Sequence, residues 1–385
     1  MNVINLVKDT ISFEEIKKLT AWLETNPRLT KGQQTVEFED EWSRWLGVKH
    51  SIFVNSGSSA NLAITYALKI ANRLKNNKVV VPAVSWATTV APVIQFGLEP
   101  ILCDACPKTL GIDIENFRQI CEKERPSALI LVHVLGIPCR MDEIINICNE
   151  YDVLLVEDTC ESVGSLYGEK KLGTFGIASS FSFYYGHHLS TIEGGMICTN
   201  DTEFYNVLKS LRCHGWDRDL DDNTQGKLRE KHGIDDFRAL YSFYYPGFNL
   251  RSTDLQAFLG RNQLLKLDSM VEQRRRNFLT YEERISNKFW RIEAENKMMI
   301  SSMAYPIITP KIEELVKELH RNQIETRPLI CGSIGQQPFW KKIFGEQKLP
   351  MASLVHEKGL YVPNNHELNT GEINLICDVI NNVLE

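Results

Sequence analysis

The chain alternates short, continuously apolar runs with amphipathic stretches over its first 250 or so residues. KVVVPAVSW from Lys78, SALILVHVLG from Ser127 and VLLVED from Val153 are apolar on both faces, which reads as buried strand rather than half-exposed strand. PILCD, ASSFSFYY and GGMICTND read as further short strands. Between them, MDEIINICNEYD carries helical periodicity. SFEEIKKLTAWLE does too, and it opens with Ser12 and Glu15 at the spacing of a capping box. Strand–helix alternation of this kind predicts a layered α/β domain whose mainly parallel sheet is covered by helices. After residue 255 the pattern changes. LQAFLGRNQLLKLDSMVEQRRRNFLTYEERI predicts one long helix, and a smaller α+β segment follows. The expected division is a large α/β domain over 1–255 and a smaller C-terminal α+β domain over 256–385. Residues 217–236, polar and charged throughout, are expected to form a surface loop long enough for a lid or a dimer arm.

Composition narrows the classes. At 385 residues, 43% hydrophobic and 24% charged, the chain is neither disordered nor fibrous in character. A net charge of −6 with no basic block argues against nucleic acid as a partner. No apolar run approaches the roughly 18–20 residues that cross a bilayer, and no leader pattern opens the chain, so a cytoplasmic location is expected. The ten cysteines are scattered, as small apolar thiols in a reducing compartment would be. Cys103 and Cys106 form a CxxC with no second pair at zinc-ribbon spacing, so no metal is expected.

Four features carry chemistry. Ser56-Gly57-Ser58-Ser59-Ala60-Asn61 lies between a strand and a helix, where small residues and free amides suit an anion, although such turns are common. Asp158 ends a buried strand, at the edge where open α/β sheets hold ligands; a helix cap is the plainer reading. Trp86, just after another strand, can stack on a planar ring or fill the core. Together they suit a planar, phosphorylated, pyridine-like group: phosphate on Gly57 and Ser58, ring on Trp86, ring nitrogen on Asp158. Pyridoxal phosphate fits, and its enzymes normally tether it through a lysine. None follows Asp158 in a suitable place. Lys170 and Lys171 sit in a polar turn and the next is Lys209, while FSFYYGHHLSTIEGG puts His187 and His188 where the lysine would stand.

The stretches VNSGSSANL, VPAVSWATT, VEDTCESVG, SFYYGHHLSTIEGGMICTND, LRCHGW and GFNLRSTDLQAFLGRNQL resemble the DegT/DnrJ/EryC1/StrS family of fold-type I pyridoxal-phosphate enzymes, over nearly the whole chain. Most of that family places its lysine five residues after a serine; Ser182 plus five is His187. The replacement resembles the branch of 3-dehydratases acting on nucleotide-linked, most nearly GDP-linked, 4-keto-6-deoxy sugars. A second His-bearing branch, the CDP-hexose 3-dehydrases, holds an iron–sulfur cluster. Only Cys213 lies between residues 199 and 330, too few thiols for that.

The resemblance implies a fold-type I aminotransferase-like architecture and a cofactor cycling between pyridoxal and pyridoxamine phosphate. It implies L-glutamate as amine donor and a reaction that removes the C3 hydroxyl and releases ammonia. It implies Asp158 on the pyridinium nitrogen and His187 as base, with His188 orienting the first ring or the phosphate; His188 as base, with His187 only filling space, is the alternative within the pair. Glu161 would stand near the ring hydroxyl, and Ser182 would join Gly57 and Ser58 on the phosphate. Asn249 would reach the phosphate of a partner subunit in a homodimer with shared active sites. Arg327 would face a carboxylate, and His214 would line the sugar site. An aminotransferase of the same fold and a non-catalytic relative are the alternatives.

Overall fold

The computed structural model describes residues 3–286 and 290–384. Its centre is a seven-stranded sheet built from β1 (His50–Val54), β2 (Lys78–Pro82), β3 (Glu99–Cys103), β4 (Ala128–Val132), β5 (Leu154–Asp158), β8 (Ala178–Ser182) and β9 (Gly195–Thr199), in the order β1-β9-β8-β5-β4-β2-β3. The run from β3 to β8 is parallel, and β9 lies antiparallel to both β8 and β1. β4 and β8 are buried at every position, because helices cover both faces of the sheet. The intervening β6 (Leu166–Tyr167) and β7 (Lys170–Lys171) form a small ribbon with β10 (Met298–Met299).

The helices of this part are α1 (Phe13–Glu24), α2 (Gln33–Leu46), α3 (Gly57–Ile70), α4 (Ala87–Gln95), α5 (Ile114–Glu124), α6 (Met141–Tyr151) and α7 (Thr202–Arg212). The capping box at Ser12 and Glu15 closes in both directions. The segment 217–236 corrects the expectation of a loop. It contains α8 (Asp222–His232) and is followed by α9 (Asp236–Ala239). The Asp221 side chain accepts the Thr224 amide, and Gly233 takes the left-handed C-terminal position, so local signals suffice although α8 buries no residue.

The expected long helix is α10 (Asp254–Arg284). It starts on a second capping box, Thr253 with Gln256, that the apolar pattern does not reveal. Its first residue also accepts the amides of Gly32, Gln34 and Thr35, so α10 caps α2. Beyond it, β11 (Ala304–Ile308), β12 (Arg327–Pro328) and β13 (Gly359–Pro363) form an antiparallel sheet in the order β11-β13-β12. The helices α11 (Ile312–Arg321), α12 (Pro338–Phe344), α13 (Pro350–Lys358) and α14 (Thr370–Leu384) accompany it. We keep the 255/256 division as a proposal. The chain crosses it at the N-terminus, where Ile4 pairs in parallel with Ile324 and Leu6 N–H donates to Glu325.

Candidate active site

The parallel strands present their carboxyl ends on one side, and a cavity of about 630 Å³ opens there against β12 and β13. Strand geometry sends neighbouring side chains to opposite faces, and β5 shows the consequence. Glu157 turns away and accepts the amides of Gly173, Phe175 and Gly176, a purely structural role. Asp158 turns into the cavity floor. Its Oδ2 accepts from Asn61 Nδ2 at 2.7 Å and from Thr89 Oγ1 at 2.8 Å, while Oδ1 takes the Cys160 amide at 3.2 Å. Two helices therefore hold the carboxylate: Asn61 lies one turn into α3 and Thr89 lies in the first turn of α4. The cap reading of Asp158 gives way to a fixed, ligand-facing acid.

The α3 entrance is built for close approach. Ser56 is the N-cap, accepting the Ser59 amide, so Gly57 and Ser58 are the first helical residues and their amides lack intrahelical partners. A Cβ on Gly57 would stand 2.7 Å from Ser182 Cβ and 2.8 Å from Cys160 Sγ. Gly195 on β9 is equally constrained, since a Cβ there would meet the Ser56 carbonyl carbon at 2.4 Å. Ser182, at the end of β8, lines the cavity beside Gly57, and the Ser58 hydroxyl lies 2.9 Å from that of Thr88. Trp86 settles the question of core against ligand. It is 56% exposed on the cavity wall, an unusual place for an indole with nothing to cover.

His187 lines the cavity and His188 does not. His187 Nδ1 is buried without a partner, which leaves Nε2 as the nitrogen that opens to the cavity. Burial lowers its pKa to about 4 against the opposing charge of Asp158, with a smaller lowering contribution from Arg274, so the imidazole is neutral near pH 7. Of the two roles expected for His188, orienting the first ring or the phosphate, a contact with phosphate or substrate is corrected, because the residue is not in the cavity lining. It follows His187 with its ring on the opposite side, fully buried, donating from Nε2 to the Ser301 carbonyl at 2.9 Å.

Glu161 is buried and accepts the Leu135 amide at 2.6 Å; burial pushes its pKa up to about 8. Arg327 lies on the facing wall, half-exposed, paired with Glu325 at 2.5 Å and shared with a second chamber that the N-terminal residues Asn5–Val7 line. Asn249 and His214 are not brought into this cavity. Asn249 is exposed, with Oδ1 accepting Arg251 Nε at 3.0 Å, and the His214 ring lies against Trp216 with centroids 5.0 Å apart. The sequence reading did not assign Thr89, Val7, Tyr184 or Tyr361 to the site, and it took Asn61 only as the end of the anion turn, not as a partner of Asp158. Asn61 and Thr89 stand one turn or less after quoted motif residues, a helical spacing that could have found them.

Among the described residues, no lysine lines the cavity. Lys171 donates instead to the Trp45 carbonyl, and Lys209 sits over the Tyr205 ring. No cluster of three or more His, Cys, Asp or Glu among the described residues is placed to hold a metal. None of their helices is long and apolar enough to cross a membrane.

A seven-stranded, mostly parallel sheet with an acid, an anion turn and an aromatic wall at its strand ends defines an enzyme of the fold-type I aminotransferase-like class. The family model for the DegT/DnrJ/EryC1/StrS aminotransferase family matches residues 9–381, and the chain belongs to that family. It is 32% identical to a GDP-4-keto-6-deoxy-D-mannose 3-dehydratase of Yersinia pseudotuberculosis, with 95% of each chain covered. Among solved structures it is similar to a mutant GDP-4-keto-6-deoxymannose-3-dehydratase with bound GDP-perosamine. There the TM-score is 0.89 at 32% identity, over 98% of this chain and all of that one. A second structure of that enzyme, with a trapped PLP-glutamate geminal diamine, gives a TM-score of 0.89 at 30% identity over 98% of this chain and 100% of that one.

Proposed function

We propose that the protein is a pyridoxal-phosphate/pyridoxamine-phosphate enzyme that removes the C3 hydroxyl from a nucleotide-linked, GDP-linked 4-keto-6-deoxy sugar, with L-glutamate as amine donor. The observation that carries the reading is one cavity that combines Asp158, the Gly57–Ser58 turn and Trp86 with His187 and, among the described residues, no lysine. The similar structures support it, since one holds a GDP-linked sugar and another PLP with glutamate.

The residues fit the cofactor. The Gly57 and Ser58 amides and the Ser182 hydroxyl would hold its phosphate at the positive end of α3. Trp86 would cover its ring, and Asp158, locked by Asn61 and Thr89, would keep its pyridine nitrogen protonated. When bound, the group supplies a carrier for the amino group and an electron sink conjugated to the reacting carbons. The chain supplies the rest. Neutral His187 accepts a proton at Nε2 and returns it, and an imidazole does not compete for the cofactor aldehyde as a lysine amine would. Arg327 offers a planar fork to the glutamate carboxylate. Glu161, buried and protonated near neutral pH in the free protein, is a donor to the ring hydroxyl. Exposed Asn249, with His214 nearby on the Cys213–Asn249 bridge, would complete the cavity of a second copy in a working homodimer.

Product analysis tests the reading. With glutamate, cofactor and a GDP-linked 4-keto-6-deoxy sugar, free ammonia and a 4-keto-3-deoxy sugar are expected. An amino sugar as main product would make the protein an aminotransferase, and no 2-oxoglutarate from glutamate would make it a non-catalytic relative. CDP- and UDP-linked sugars run in parallel set the base preference.

A further inference from the structure

Arg274 of α10 is buried, yet no carboxylate is among its hydrogen-bond partners: Nη1 donates to the carbonyls of Met303 at 3.0 Å and Asn364 at 2.6 Å. Burial lowers its pKa only to about 10, so it carries a full charge at neutral pH. An uncompensated buried charge costs several kcal/mol, and carbonyl anchoring alone is served equally well by a neutral donor.

The hydrogen bonds link this charge to His188, the buried member of the histidine pair, through one short segment. His188 donates to Ser301, Asn364 bonds the neighbouring Ser302 through Nδ2, and Arg274 bonds Met303 and Asn364, so three adjacent residues of one segment join them. His366 lies two residues beyond Asn364. His187 Nδ1, His188 Nδ1, His366 Nδ1 and Arg274 Nε are all buried without a partner. Because His188 Nε2 donates to a carbonyl, its Nδ1 is a bare lone pair in the neutral ring.

We propose that Arg274 is a positioning residue for proton transfer, a fixed positive charge on the protein side of the His187–His188 pair that adds to burial in disfavouring the imidazolium, so that the cavity-facing ring gives back readily the proton it accepts. The inference rests on the reading of His187 as the base. The charge acts on all three imidazoles, whose pKa values burial lowers first and Arg274 lowers further. Opposing it on the cavity side is Asp158, whose charge favours protonated His187. Glu161 and Glu193 also line that side, Arg327 stands on the far wall, and Lys266 adds to Arg274 at His366. Without Arg274, Asp158 would act on His187 against burial alone.

The test compares Arg274→Gln, which keeps a hydrogen-bond donor and loses the charge, with Arg274→Lys, which keeps the charge. Ring resonances of isotope-labelled histidine in the protein without cofactor, assigned with His187→Asn, report protonation directly. Single-turnover dehydration by enzyme preloaded with pyridoxamine phosphate reports the acid limb. We expect His187 in wild type and Arg274→Lys to stay neutral to below pH 5. In Arg274→Gln its titration, and the acid limb with it, should move up by about one pH unit, a tenfold loss at the foot of the limb with the rate at pH 8 retained. A His187 that titrates near pH 6.5 in wild type overturns the proposal without any variant. So does Arg274→Lys behaving as Arg274→Gln, or a loss equal at every pH. A resonance shift with no movement of the acid limb leaves the electrostatic role standing and removes His187 as base.

Discussion

Asn61 donates its side-chain amide to Asp158 Oδ2 at 2.7 Å, and its own Oδ1 accepts from Ser180 Oγ at 2.6 Å. The contact ties α3 to two adjacent strands, so the helix whose first amides are proposed to hold phosphate also fixes the acid on the cavity floor. Asn61→Ala should leave the buried carboxylate short of a donor, at about 1–3 kcal/mol. The expected result is cofactor affinity weakened by tenfold or more with the fold retained, read by absorbance titration. Unchanged affinity would mean that Thr89 alone suffices to hold Asp158.

His187→Asn should lower dehydration by a factor on the order of 10²–10⁴, the usual worth of a positioned base, with cofactor binding largely intact. His187→Lys should attach the cofactor covalently and give the absorbance of a lysine-bound pyridoxal. If no such species forms, residue 187 does not face the cofactor aldehyde.

Arg327→Ala should raise the KM for glutamate by about tenfold or more, in line with loss of a charge-assisted pair. The rate of the preloaded single turnover with sugar should change little. A loss confined to the sugar half-reaction would assign the guanidinium to the nucleotide instead.

The pH dependence of stability follows from the buried imidazoles. His187 and His366 have folded pKa values of about 4, below the ordinary 6.5, and His188 is lowered too. Between pH 6.5 and 4 the unfolded chain binds protons that the native protein refuses, so stability is present above 6.5 and is lost as pH falls through this window. Each group contributes a slope of about 1.4 kcal/mol per pH unit. Calorimetry should show the Tm falling steeply below pH 6, and His366→Asn should flatten the fall.

Glu161 works in the other direction. Its folded pKa of about 8 lies above the usual carboxyl value, so its contribution is present below pH 4.5 and is lost as pH rises toward 8. Glu161→Gln resembles the protonated form and its amide oxygen still accepts the Leu135 amide. Its Tm advantage over wild type should grow from pH 5 to pH 8 in the cofactor-free protein, and a constant offset would sink the assignment.

Much of this was legible along the chain, for local reasons. Continuous apolar runs announced β2, β4 and β5, the S-x-x-E box announced α1, and the absence of a lysine after Ser182 pointed to the proposed chemistry. These signals lie within a few residues of one another, where hydrogen-bond geometry and side-chain period are read directly. The α8 segment escaped because a helix without a buried face shows no apolar period, although its cap residues were in view.

By itself, then, the sequence determined the α/β class and put Asp158 at a strand end, and it pointed to the turn at Gly57–Ser58 and to an imidazole where the family's lysine would stand. Tertiary structure alone decided which of two adjacent histidines faces the cavity. A one-residue step turned one ring toward Asp158 and the other onto Ser301, a carbonyl 113 positions away. It also decided that Trp86 is wall rather than core, that Asn61 and Thr89 hold Asp158, and that Arg274 on α10 is buried against carbonyls with no carboxylate among its hydrogen-bond partners. Each of these joins residues far apart in the chain, and only packing, which buries charge and lone pairs together, brings them within reach of one another.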